Sequence, residues 1–567
     1  MGLDPYPLAG WSVDRLAAQM IVVRTTGLLF DHQVQYPVWE ADSESLRRLV
    51  ELGVGGVIFL GGSGAELALK TAGLQELALS VGSPQLLLCA DIEEGVGQRF
   101  GGGTWFAPPM ALGEIAKTDL GRAVELAAVM GRATAVEARA IGLNWILGPV
   151  VDVNNNRDNP VINIRSFGED AETVRDLARS FVRGTVGCGV LTCAKHFPGH
   201  GDTDLDSHLE LPRIEHDMER LERLEFVPFR GVMEGGSVGC GVGGARDARP
   251  YGDGDGRYEG EDGCEVDAVM TAHLEVGAID DSEITTFSYA LNTGLLREKW
   301  GFEGLIVTDA LVMGAIEKRY GNAETAIRVV EGGADLLMMP VDAIGAIEAI
   351  VSAVEAGRIT RGRLEASVRR ILAAKDRTFG QAGVQPQAVT MAGLVEAMAG
   401  PEFQAAARSI LVESMRVRRG EALGGDGVNL VLVDDLVGCP FLSRTAGAMV
   451  IPSSRGYETR VIDASSEVFE VDRRTVLQVF VRGNPLKSTA KYVARIEAWI
   501  ARLRDQLDAV VVYGSPYVAE SLFVGLPDSV TTVFSYGQMP IAQRVALEWL
   551  FGVDASEEGG STEGMFV

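Results

Sequence analysis

Short, continuous apolar runs recur through the first two-thirds of the chain, at 20–23, 57–60, 85–90, 144–147, 190–194, 268–272, 305–308 and 334–338. A strand covered on one face alternates apolar and polar residues, whereas a strand buried on both faces, as in a parallel sheet, reads as an unbroken apolar run. Helix-like stretches lie between most of the runs, among them 43–52, 119–141, 171–186, 218–234 and 323–332. This alternation predicts an α/β fold, a (β/α)8 TIM-like barrel over residues 1–380. A doubly wound open sheet has the same local signature and is the alternative.

The texture changes twice. Residues 235–263 are rich in Gly and Asp with no apolar period, and they read as a flexible insertion. Within them Asp253 and Asp255 imitate the start of a calcium loop, but Arg257 stands where a third oxygen ligand is needed. Residues 381–403 read as a linker with one helix. A second, smaller α/β pattern follows over 404–567, with strands expected at 429–433, 475–481, 509–513 and 531–535, helices at 488–506 and 541–551, and a frayed tail. It predicts an αβα sandwich domain.

Acidic residues outnumber basic ones 78 to 51, for a formal charge of −27, which argues against nucleic acid or an anionic membrane as the main partner. No apolar run approaches the ~20 residues of a membrane span. The six cysteines form no CxxC pair and read as buried thiols in a reducing compartment. The N-terminus lacks a basic start followed by an apolar core, so a cytoplasmic protein is expected, as monomer or homodimer.

Polar residues cluster where the apolar runs end: Asp91, Asp152 with Asn154, Lys195 with His196, His273, and Asp309. In barrels the active site lies at the C-terminal ends of the strands, so this repeated placement is a functional signal. The densest chemistry is KHFPGHGDTDLDSHLELP at 195–212, which holds His196, His200 and His208 interleaved with Asp202, Asp204 and Asp206. Metal binding by these histidines is one reading, but Pro198 and Gly199 break the helix that would aim His196 and His200 at one ion. A loop of satisfied polar groups is the bland one. The third is acid/base catalysis: Asp206, two residues before His208, can orient an imidazole whose unperturbed pKa near ~6.5 suits proton transfer at neutral pH.

KHFPGHG followed by GDTDLDSH resembles the signature of family 3 glycoside hydrolases, in their β-N-acetylglucosaminidase branch. ADIEEGVGQRF (90–100), INIRSFGED (162–170), VMTAHLEV (269–276), GFEGLIVTDALVMGAI (301–316) and GGADLLMMP (332–340) resemble further family segments in the same order. The resemblance covers residues 11–380 and, more diffusely, the C-terminal domain. It implies a retaining hydrolase that removes terminal β-linked N-acetylglucosamine from peptidoglycan fragments or chitooligosaccharides, with no cofactor and no metal. It implies Asp309 as nucleophile, His208 as acid/base and Asp206 as its orienting partner. Asp91, Arg99, Arg165, Lys195 and His196 would bind the sugar, and His200 would shape the loop. Two positions depart from the pattern: the usual Glu-Gly-Gly-Arg reads Glu93-Glu94-Gly95-Val96, and Ala310 replaces an acid commonly found after the nucleophile.

Local chemistry leaves other readings for single residues. Asp309 could cap the following helix, and Lys195 and Arg165 could form ion pairs at a barrel rim. At the level of function, a phosphorylase would resolve the same intermediate with phosphate, and an uncharged histidine would not repel that acceptor. A β-glucosidase or β-xylosidase of the family, and a non-catalytic glycan-binding protein, are the remaining alternatives.

Overall fold

The computed structural model describes residues 7–552 apart from 35–38, 204–210, 235–264, 380–389, 422, 424, 435–438, 440, 464, 465, 467, 468 and 483–489. Asp206, His208, the Gly/Asp-rich insertion with Asp253 and Asp255, and the C-terminal tail therefore lie outside the described residues. The chain divides into two compact units. One takes residues up to 105 together with 116–404, and the other takes 106–115 together with 405 onward.

In the first unit every one of the eight apolar runs overlaps a strand: β1 (Ile21–Thr25), β2 (Gly56–Phe59), β3 (Leu87–Ala90), β4 (Trp145–Ile146), β5 (Cys193–Phe197), β6 (Ala268–Thr271), β7 (Leu305–Thr308) and β8 (Leu337–Met338). All strand pairs among them are parallel. They form a five-stranded sheet in the order β8-β1-β2-β3-β4 and a three-stranded sheet in the order β7-β6-β5. Parallel bridges at Trp145–Leu191, Val150–Lys195 and Val307–Leu336 lie along the edges where the two sheets meet. The strands are buried end to end, which is why their sequences carry no alternation.

Helices fill the connections, and their starts are written locally. Asp42, Ser63, Asp119, Asp170 and Asp342 each accept a hydrogen bond from a backbone amide three residues on. Each bond satisfies one of the donors that a helix N-terminus leaves open.

The fifth strand departs from its expected bounds. It starts later than the apolar run and includes Lys195 and His196, which the sequence places beyond it. Opposite β6 the register shifts between Lys195 and Phe197, so His196 is an extra residue in the ladder. Such a bulge bends a strand and re-aims a side chain. Phe197 anchors the strand end, stacking on Phe226 and meeting Phe229 and Trp300 edge-on, with centroids 5.0–5.7 Å apart. The turn that follows is glycine-dependent. A Cβ on Gly201 would stand 1.7 Å from the Val153 carbonyl oxygen.

The second unit has strands β9 (Arg416–Arg418), β10 (Gly427–Leu432), β11 (Tyr457–Ile462), β12 (Thr475–Val481), β13 (Leu507–Gly514) and β14 (Thr531–Ser535). Their order is β9-β14-β13-β12-β10-β11, parallel except for the antiparallel β9–β14 edge. Val431, Val476, Ala509, Val511, Tyr513 and Val533 are at the centre of its core. Among the described residues no helix is long and apolar enough to cross a membrane.

Candidate active site

The polar side chains at the C-terminal ends of β3 and β5 form one connected network. Lys195 Nζ lies 2.7 Å from Asp91 Oδ1 and 2.7 Å from Glu93 Oε1. Arg165, in the 3-10 turn Asn163–Arg165, grips Glu93 bidentately, with Nε 2.9 Å and Nη2 2.8 Å from its two oxygens. Arg165 also donates to the Val161 carbonyl at 3.0 Å. Burial by itself would raise the Glu93 carboxyl, but Arg165 and Lys195 outweigh it and hold the group well below the usual carboxylate range. The Lys195 ammonium behaves in the opposite sense: burial opposes its charge, and Asp91 and Glu93 hold its pKa above the ordinary lysine value.

Asp152 is the second centre. It is fully buried, and its two oxygens take the backbone amides of His196 (3.2 and 3.1 Å) and His200 (2.7 Å). Oδ2 also lies 2.7 Å from His196 Nδ1. Burial raises the Asp152 carboxyl, but His196, His200 and the amide bond bring it below its ordinary value, so it is an anion. An anionic carboxylate only accepts, so the proton of this contact sits on His196 Nδ1. Arg165 Nη2 lies 3.4 Å from His196 Nε2.

His200 is buried beneath the same turn, with Nδ1 2.7 Å from Thr203 Oγ1. Burial and the neighbouring His196 lower its pKa to about 4, against the opposing pull of Asp152 and Asp309, so the ring is neutral near pH 7. Asp309 itself follows β7, is partly exposed, and donates its backbone amide to the Thr271 carbonyl at 2.9 Å. Its Oδ1 accepts the Ala310 amide at 2.7 Å. The next helix, Gly314–Tyr320, starts after Met313 with no side-chain cap, so Asp309 does not serve as its cap.

Of the residues singled out from sequence, Asp91, Arg165, Lys195 and His196 are brought into one network. Arg99 is exposed and donates to the Asp91 carbonyl at 3.1 Å. Lys195 and Arg165 do form ion pairs, Lys195 with Asp91 and Glu93, and Arg165 with Glu93. Three participants were not singled out as site residues. Glu93 stood only as a departure from a motif, although it joins both cations. Asp152 and His273 stood only as strand-end polar groups. The buried His273 lies between Thr286 Oγ1 (2.6 Å from Nδ1) and the Ala310 carbonyl (3.1 Å from Nε2), which steadies the residue after Asp309. The signal for all three was present in the sequence: each is a polar residue at or just beyond the end of an apolar run.

The arrangement can recognise a polyhydroxylated ligand. Asp91 offers an acceptor at the partly open side, and Arg165 and Arg99 offer N–H donors, with Asp91 and Arg165 held by ion pairs to Lys195 and Glu93.

The profile described as "Glycosyl hydrolase family 3 N terminal domain" matches residues 12–239 and 263–374. The chain belongs to glycosyl hydrolase family 3. The profile described as "Bacterial Glycosyl hydrolase family 3 C-terminal domain" matches residues 422–552 of this family 3 chain. It is similar to beta-hexosaminidase A of Pseudoalteromonas piscicida, 30% identical over 45% of this chain, and it spans only 41% of that protein's own length. It is also similar to a beta-hexosaminidase of Tolumonas auensis, 32% identical over 54% of this chain and 82% of the relative. Among solved structures, a family 3 beta-N-acetylglucosaminidase from Paenibacillus sp. str. FPU-7 superposes with a TM-score of 0.74 at 29% identity, covering 96% of this chain and 97% of the other. These likenesses put the chain on the β-N-acetylglucosaminidase/hexosaminidase branch of family 3.

Proposed function

We propose that this family 3 protein is a retaining exo-β-N-acetylglucosaminidase that removes terminal β-linked N-acetylglucosamine from peptidoglycan fragments or chitooligosaccharides. The reading includes closure of the two parallel sheets into one (β/α)8 barrel, supported by the bridges along their edges. Its main support is the placement of Asp309 directly after β7, in the same parallel sheet as β5, which carries Lys195 of the ion-paired network.

In this reading Asp309 attacks the anomeric carbon as the glycosidic C–O bond breaks, and His208 gives its proton to the departing oxygen. A covalent glycosyl-enzyme results. Water then attacks the same carbon, His208 takes its proton, and Asp309 leaves as a carboxylate, so two inversions give net retention. Asp206 orients His208, while Asp91, Arg99, Arg165, Lys195 and His196 hold the sugar. No step calls on a metal or cofactor.

The test is intact-mass spectrometry after incubation with a 2-acetamido fluorosugar. One glycosyl adduct, mapped to Asp309 and absent from Asp309→Asn, is expected. An adduct elsewhere, or full turnover by the variant, refutes the assignment. A nitrophenyl glycoside panel run with and without phosphate checks substrate and acceptor. Preference for the glucoside, or a sugar 1-phosphate product, refutes N-acetylglucosaminide hydrolysis.

A further inference from the structure

A second cluster of ionisable groups lies outside this network. Asp202 and His216 flank, in sequence, the segment that contains Asp206 and His208. Asp202 Oδ2 and His216 Nε2 are in direct contact. Glu225 completes the group: one donor atom from each of the three residues lies within 4.8 Å of the others. Around a tetrahedral ion with ligand bonds of about 2.0–2.2 Å, donor atoms stand roughly 3.3–3.5 Å apart, so small side-chain rotations bring these three into register.

Glu225 carries the argument. It is only 4% exposed, and among the described residues its Oε2 has no hydrogen-bond partner, while Oε1 lies 3.4 Å from Arg220. A buried carboxylate oxygen without a partner costs about 1–3 kcal/mol or more, and an ion is one way to satisfy it. Glu225 is also held in place. Its side chain packs where a Cβ on Gly199 would stand 2.9 Å from Glu225 Cβ, and it directly precedes the helix Phe226–Met233. Arg220 Nη2 is 3.7 Å from Asp202 and 3.4 Å from Glu225, so one guanidinium faces two carboxylates. Asp202 and His216 are partly exposed, which leaves a side open to water as a further ligand. One imidazole and two carboxylates form a nitrogen and oxygen set suited to zinc.

We propose that Asp202, His216 and Glu225 hold a divalent cation of the zinc class that ties both flanks of the segment carrying Asp206 and His208 to the helix Phe226–Met233. The cation is structural and takes no part in breaking or making bonds.

The test is calorimetric titration of the chelator-stripped full chain with zinc chloride, with metal analysis of the dialysed product. One zinc per chain is expected, with affinity at least tenfold weaker in His216→Ala, Glu225→Gln and Asp202→Asn, and unchanged in His208→Ala. Zinc should also raise the melting temperature of the parent and not of the three variants. Cobalt substitution gives a reading independent of stability, because the visible d–d band seen in the parent should vanish in His216→Ala. Three results overturn the proposal: no saturable binding by the parent, which leaves an Arg220-centred ion-pair cluster only; binding that survives all three substitutions; or binding lost in His208→Ala, which moves the ion to the catalytic residues. The titration of the parent decides the first even if a variant fails to fold.

Discussion

Asp152 Oδ2 lies 2.7 Å from His196 Nδ1, and the same carboxylate collects the backbone amides of His196 and His200. One buried anion thereby holds a ring and fixes the path of the turn that follows β5. The relationship has a direct consequence. In Asp152→Asn an amide NH2 must face a donor that the carboxylate accepted, and a buried charge-assisted bond is lost. A loss of about 3 kcal/mol in unfolding free energy is expected, read from urea titration. The catalytic readout is a fall in kcat/KM, because the carboxylate no longer holds the His196 ring in place.

Glu93 sits between Lys195 and Arg165 and is nearly fully buried. Glu93→Gln keeps the shape and removes the charge both cations share. Breaking one partner of a buried pair costs about 3–5 kcal/mol, so a lower melting temperature is expected. Since Lys195 and Arg165 are read as sugar-binding groups, KM should rise more than kcat falls in steady-state kinetics.

Gly201 and Gly73 make a contrasting pair. A Cβ at 201 meets the Val153 carbonyl oxygen at 1.7 Å, whereas one at 73, on an exposed helix surface, meets nothing within 4 Å. Gly201→Ala should cost about 3 kcal/mol and reduce kcat, because backbone has to move in the turn. Gly73→Ala should gain about 0.5–1 kcal/mol from helix propensity. Thermal unfolding of the two variants checks both directions.

Lys375 is buried, donates to Gln19 Oε1 at 2.8 Å, and has its pKa lowered by burial from 10.5 to about 7. As pH falls from 10.5 towards 7 the unfolded chain takes up a proton that the folded chain does not, so stability falls across that window and levels off below it. At about 1.4 kcal/mol per unit the penalty is roughly 2 kcal/mol at pH 9 and 4 kcal/mol at pH 7. Lys375→Met forfeits the bond to Gln19, worth about 1 kcal/mol, and removes this penalty. The variant should be more stable than the parent, with a larger margin at pH 7 than at pH 9, measured by denaturant unfolding at both.

The strands of the first unit were legible because burial on both faces leaves an unbroken apolar run, and all eight runs overlap strands. The fifth shows where that reading stops. Lys195 and His196 ended the run, yet they lie inside β5, because their partners come from far along the chain: Asp91 is 104 residues away and Asp152 is 44. Assignment of residues 106–115 to the second unit was likewise invisible to a contiguous division of the chain.

The sequence by itself determined the order of strands and helices, the family, and the residue types at the strand ends, since periodicity and motif are properties of neighbouring residues. Only the tertiary structure decided which charges meet: that Glu93 joins Lys195 to Arg165, that Asp152 orients His196, and that Glu225 faces Asp202 and His216. Hydrogen bonds and ion pairs depend on separation in space, and folding sets that separation independently of distance along the chain.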